Sequence, residues 1–129
     1  MAYETWQELS IVYDGSTLEY YYDGASVGSQ SITGNFDDYD GDLIIGKGTS
    51  VNQGDIYFPG KFDDLRIWNI ALTQSQIQSY MSTSLAGNET GLLGFWNFNE
   101  GSGTTAYDAT SNSNDGTIYG ASWSTDVPF

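Results

Sequence analysis

Four aspartates crowd the stretch NFDDYDGD, at Asp37, Asp38, Asp40 and Asp42. Carboxylates this close repel one another unless water or a cation neutralises them. Asp38-Tyr39-Asp40-Gly41-Asp42 offers oxygen ligands at alternate positions, with a glycine for the bend. Hard cations such as calcium take donors of that kind, so Asp38, Asp40 and Asp42 are candidate calcium ligands. The stretch is no EF-hand, because the twelfth-position glutamate and the flanking helices are missing. The plainer reading is a solvated acidic loop. A second group lies downstream, where Glu100 and Asp108 bracket a Gly-Ser-Gly turn and Asn112, Asn114 and Asp115 follow. Glu100 and Asp108 are metal candidates as well. The alternative is structural: a carboxylate that accepts backbone N–H bonds and holds a long loop. Asp63 and Asp64 precede a strand, with Arg66 on the same face as Asp64, and read as strand-end hydrogen bonding rather than ligation.

Aromatic side chains are the other chemical resource, with four Trp and ten Tyr. An aromatic ring can stack on the C–H face of a pyranose while nearby amides and acids fix its hydroxyls. Trp6 and Trp96 read as core. The loop-borne Tyr39, Tyr57 and Tyr107 are the candidate ligand platforms. Tyr21, opposite Leu18 and Tyr20 on its strand, is a candidate for a concave face. Catalysis finds little support: the chain has no His and no Cys, which removes the usual nucleophilic triads, and most of its acids sit in turns.

The elements that position these residues follow from periodicity and turn chemistry. Strands are expected at 6–13, 17–22 and 25–32, joined by turns at Asp14-Gly15 and Asp23-Gly24. Leu43 to Gly46 reads as a short buried strand and Lys47 to Asp55 as a polar loop. Phe62 to Trp68 alternates with period two. A helix is expected over about 73–82, with Thr73 as N-cap and Gln76 completing a capping box. Two turns of helix cannot stand alone, so this one must lie on a sheet. Leu92 to Phe98 reads as a central strand, 99–114 as a long loop, and 117–119 and 121–123 as last strands. Asn88-Glu89-Thr90 is a glycosylation sequon.

Composition bounds the rest. A chain of 129 residues makes one domain, 1–129, able to bury about two-thirds of its extended surface. Sixteen Gly and 16% aromatics suit an all-β domain with tight turns. Seventeen acids against three bases give a net charge of −14, which argues against nucleic acid and anionic membranes as partners. No stretch is long and apolar enough to span a bilayer, and Met1-Ala2-Tyr3-Glu4 does not open a signal peptide.

Several stretches then resemble one family. WQELSIVYDG with YYDG, LIIG, and FPGKFDDLRIWNIALTQSQI are similar to the second half of a laminin-G-like, pentraxin-type domain. GLLGFWNFNEGSG, Asp108 and NDGTI resemble the stretch that usually opens one. The resemblance implies a concanavalin A-like jelly-roll sandwich of two antiparallel sheets, often binding carbohydrate, often with calcium, on secreted or cell-surface proteins. In the family the Glu100 and Asp108 positions look structural. A pentraxin-style calcium site would fall where this chain has Asn52, Gln53 and Asp55, a poor ligand set. Sandwich glucanases carry Glu-x-Asp-x-x-Glu on one strand, a spacing this chain lacks. Two departures matter: the opening motif comes last, and the segment that normally precedes the Trp6 strand is missing. A sandwich short of strands exposes edges and apolar faces, so self-association is expected. The expectation is a non-enzymatic carbohydrate-recognition or adhesion module, calcium-assisted. Its alternatives are a structural or assembly module of a surface or virion protein, and a novel glycan hydrolase.

Overall fold

The structure, a computed structural model, describes residues 5–34 and 41–128. All its ladders are antiparallel and one short helix accompanies them, the expected all-β class.

A three-stranded meander comes first. β1 (Leu9–Tyr13), β2 (Thr17–Tyr22) and β3 (Ala25–Ser31) lie in the order β1-β2-β3. Asp14 builds the first turn, its Oδ1 accepting from the N–H groups of Ser16 (2.8 Å) and Thr17 (2.7 Å). Asp23 and Gly24 both take positive φ (47° and 69°), the requirement of the tight hairpin turn that Asp-Gly signals. Ile11 faces Tyr20, and Tyr20 faces Gly28, with a bulge between Tyr20 and Tyr21.

The next segment corrects the reading of the sequence. Leu43 to Ile45 form no strand and are exposed, whereas the supposed polar loop is a hairpin of β4 (Lys47–Ser50) and β5 (Gly54–Tyr57). Polar cross-strand contacts hold it: Lys47 Nζ pairs with Asp55 at 2.9 Å, and Thr49 Oγ1 donates to the same carboxylate. An apolar run becomes a buried strand only where something covers it, and nothing described covers Leu43 to Ile45.

β6 (Leu65–Trp68) pairs with β7 (Leu92–Trp96), Leu65 opposite Trp96. Between them runs α1 (Gln74–Met81), capped by Thr73 with the full capping box to Gln76. The helix does lie on sheets. Gln74 and Gln78 both donate to the Gly24 carbonyl at 2.9 Å. On the other side Arg66 Nη1 donates to the Tyr80 carbonyl at 2.9 Å, and Trp68 stacks on Tyr80 with centroids 5.0 Å apart. β8 (Thr105–Ala106) and β9 (Gly116–Thr117) form a last small ladder inside and beyond the expected loop; 121–123 is not a strand. Leu85, Leu92 and Phe95 form the core cluster, with Trp68 and Tyr80 packed against it. No described helix is long and apolar enough to cross a membrane.

Candidate functional site

Asp108 is the most heavily bonded side chain described. Its Oδ1 accepts from Phe95 N (3.0 Å) and Thr110 N (2.9 Å). Its Oδ2 accepts from Thr110 Oγ1 (2.9 Å), Asn114 N (3.0 Å) and Asn114 Nδ2 (3.1 Å). Burial alone would raise its pKa. The N–H donors of Thr110, Phe95 and Asn114, with the Thr110 hydroxyl, outweigh burial and hold it down at about 2. The Leu93 carbonyl collects Asn112 Nδ2 and Asn114 Nδ2 at 2.9 and 3.0 Å. Glu100 Oε1 accepts from Tyr107 N at 2.7 Å, and Asp115 accepts from Asp108 N at 2.9 Å. Asp108 pins the 97–118 segment to β7, while Glu100 and Asp115 tie that segment to itself, the backbone-holding role the sequence allowed Glu100 and Asp108.

The described candidates do not come together as a metal site by themselves. Five protein donors already occupy Asp108. Asp42 is exposed, and among the described residues no three Asp, Glu, His or Cys side chains could hold a metal. Asp38 and Asp40, the other members of that candidate set, lie outside the described residues.

The candidate aromatic platforms divide three ways. Tyr57 (66% exposed) and Tyr107 (59%) present their rings to solvent. Tyr39 lies outside the described residues. Tyr21 is corrected: at 5% exposure it is core and has no face to offer a ligand. Burial, with Glu19 beside it, raises its phenol pKa. The bulge after Tyr20 shifts the register of β3 and the Gly24 turn docks on α1, so the face opposite Leu18 is the inner one. Tyr119, 88% exposed, was read only as a strand residue.

A cleft at the end of β6 and β7 gathers polar groups that the sequence did not bring together. It measures about 240 Å³ and is lined by Asp63, Asp64, Ser84, Phe95, Asn97, Asn99, Val127 and Pro128. Asp63 Oδ1 accepts from Asp64 N at 2.9 Å. Burial raises the Asp63 pKa, and the neighbouring Asp64 charge adds to the rise. Asp64 pairs with Arg66 at 3.4 Å, and Arg66 sits over the Phe95 ring at 5.7 Å. Two non-glycine residues are left-handed here, Asp64 (φ 48°) in the lining and Phe98 (φ 49°) between the lining residues Asn97 and Asn99. A bulky residue in that region stores strain, which concentrates at functional sites. Asn97 Oδ1 accepts from Asn99 N at 3.2 Å, turning the chain so that both amides line the cleft. The apolar wall, Val127 and Pro128, follows Asp126, which is bound by Lys61 and by Trp6 Nε1. Asp63 was legible only as a strand-end residue; its partners Asn97 and Asn99 lie more than thirty residues away.

Comparison with known proteins agrees with this architecture. The family model described as the concanavalin A-like lectin/glucanases superfamily matches residues 1–78, and the chain belongs to that superfamily. Domains of this laminin-G type often bind carbohydrate or mediate adhesion, are generally non-catalytic, and typically occur in extracellular proteins. No curated protein and no solved structure matches the chain.

Proposed function

We propose that this chain is a non-catalytic carbohydrate-recognition module of a secreted or surface protein, with its sugar held in the cleft between Asp63 and Asn99. The observation that carries the reading is the cleft's mixture of groups: two side-chain amides and a part-buried carboxylate, with Val127 and Pro128 as apolar wall. Hydroxyls need donors and acceptors fixed on a scaffold, and a ring's C–H face needs apolar wall. At about 240 Å³ the space falls below the usual ligand pocket, so it suits a single terminal sugar rather than a long chain. Hydrolysis finds less support. Of the two carboxylates in the cleft, Asp64 is engaged by Arg66, and a glycosidase needs both members of its pair at work.

Calcium assistance is part of the proposal and rests on the acid spacing of Asp38, Asp40 and Asp42 alone. Its check is thermal unfolding in EGTA and in calcium at fixed ionic strength, where a bound ion raises the midpoint. The sugar reading is tested by calorimetric titration with a panel of monosaccharides and short glycans. Binding that falls at least tenfold in Asn97→Ala and Asn99→Ala, with unchanged melting, supports it. Binding that survives both substitutions removes the cleft from the account.

An assembly role is a second reading, favoured by one observation, the exposed Leu9 and Ile11 on one face of the β1-β2-β3 sheet.

A further inference from the structure

Alternation along the meander sorts its residues cleanly. Leu9, Ile11 and Tyr13 of β1 stand opposite Tyr22, Tyr20 and Leu18 of β2, so the six share one face. Gly28 and Gln30 of β3 extend it. The other face carries Ser10, Val12, Glu19 and the buried Tyr21, with Glu19 accepting from Ser26 Oγ at 2.8 Å. The first face therefore holds no acid in a chain of net charge −14. It is open along β1, where Leu9 is 61% exposed and Ile11 60%, while Tyr13, Leu18, Tyr20 and Tyr22 are half-buried. A strand in an antiparallel sheet normally turns its apolar set inward. Here the apolar set points out.

The surface of the whole chain says how much covering is missing. A compact monomer of 14.1 kDa exposes about 6,700 Å². This chain exposes 9625 Å². The surplus is about 2,900 Å², more than the eleven residues outside the described set would add even at unfolded-chain exposure, about 1,750 Å². Less that allowance, about 1,150 Å² remains per chain, and two chains give about 2,300 Å², within the roughly 2,000–5,000 Å² that obligate pairs bury. Sheets pack face to face about 10 Å apart when both inner faces are apolar. A second copy supplies the same neutral, aromatic and aliphatic face, and a two-fold axis lets one patch meet itself.

We propose that the Leu9, Ile11, Tyr13, Leu18, Tyr20 and Tyr22 face is the interface between two copies of this chain, packed sheet on sheet. The sugar cleft lies elsewhere, at the end of β6 and β7, so either proposal can fail without the other. Each copy carries −14, so the pair forms against like-charge repulsion. Added salt screens that repulsion and tightens the pair, the opposite of an interface built on ion pairs.

The test is light scattering of the full chain at about 100 µM and below, in low and in high sodium chloride. A mass of two chains, a dissociation constant that falls with salt, and at least tenfold weakening in Ile11→Asp with the β spectrum kept are the expected results. The control Val51→Asp, at a fully exposed turn residue, leaves the pair intact. A single-chain mass throughout, or a pair indifferent to Ile11→Asp, overturns the proposal. Should Ile11→Asp unfold, Ile11→Cys decides, since the chain has no other thiol. Oxidation then links two chains across the axis, and linking no faster than that of Val51→Cys, which meets only by collision, counts against the interface.

Discussion

The two ends of this chain handle apolar surface in opposite ways. From Ile77 to Thr110, Ile77, Leu85, Leu92, Phe95, Trp96 and Ala106 are buried, and with them the polar Asp108 and Thr110. Among the described residues before Phe62 only Tyr21 joins the buried apolar residues, while Leu9, Ile11, Val27, Leu43, Ile44, Val51, Ile56 and Phe58 are exposed. The first region has a carboxylate that pins a loop to β7, which pairs with β6 alone and is not the central strand its apolar run suggests. The second has hairpins tied by polar turns, and among its described residues no carboxylate gathers as many donors. Rigid placement of the cleft amides comes from the first, and the second supplies area for contact with another molecule. Strand pairing alone gives shape, and burial with satisfied polar groups gives stability.

The comparison breaks most visibly at Asp108. Asp108→Ala leaves Phe95, Thr110 and Asn114 N–H groups without an acceptor, at about 1–3 kcal/mol each, so a loss of about 3 kcal/mol or more in denaturant unfolding is expected. The same residue sets an acid limit. Its folded pKa, about 2, lies below the ordinary 3.8, so its contribution is full above about pH 4 and is lost as pH falls toward 2. Asp108→Asn should flatten stability across that window. Gly87→Ala comes next. An added Cβ would sit 2.2 Å from the Ala109 carbonyl, at a φ of +85°, and a drop of about 2 kcal/mol is expected in the same assay. Thr73→Ala removes the helix cap and should cost about 1 kcal/mol. Asp63→Asn has the opposite sign. A carboxyl whose pKa is raised on folding penalises the folded state above that pKa and not below the unfolded value. The variant should therefore melt higher at neutral pH, while its sugar binding falls. Leu43→Ser, in the open region, should change unfolding by no more than about 0.5 kcal/mol.

What could be read from the sequence was local. Thr73 and Gln76 stand three apart, and that spacing is the capping box itself. Asp14-Gly15 and Asp23-Gly24 announce the meander because hairpin turns demand those residue types. The family resemblance and the all-β class hold. Asp108's role was among the readings offered, since a carboxylate near Gly and Asn turns favours backbone bonds. Three things were not legible. Leu43 to Ile45 looks like core, but burial depends on a covering layer that no pattern encodes. Thr105-Ala106 and Gly116-Thr117 are too short for any periodicity. The Asp63, Asn97 and Asn99 cleft exists only because β6 pairs with β7, a contact between residues about thirty apart in the chain.

The most direct test of the contrast is native-state hydrogen exchange, read residue by residue at a concentration low enough to keep the chain single. The amides of Phe95, Thr110 and Asn114, bonded to Asp108, should exchange most slowly, with those of β4 and β5 exchanging orders of magnitude faster. Equal protection in the two regions would contradict the account, because it would place the open hairpins and the Asp108 node in one cooperative core.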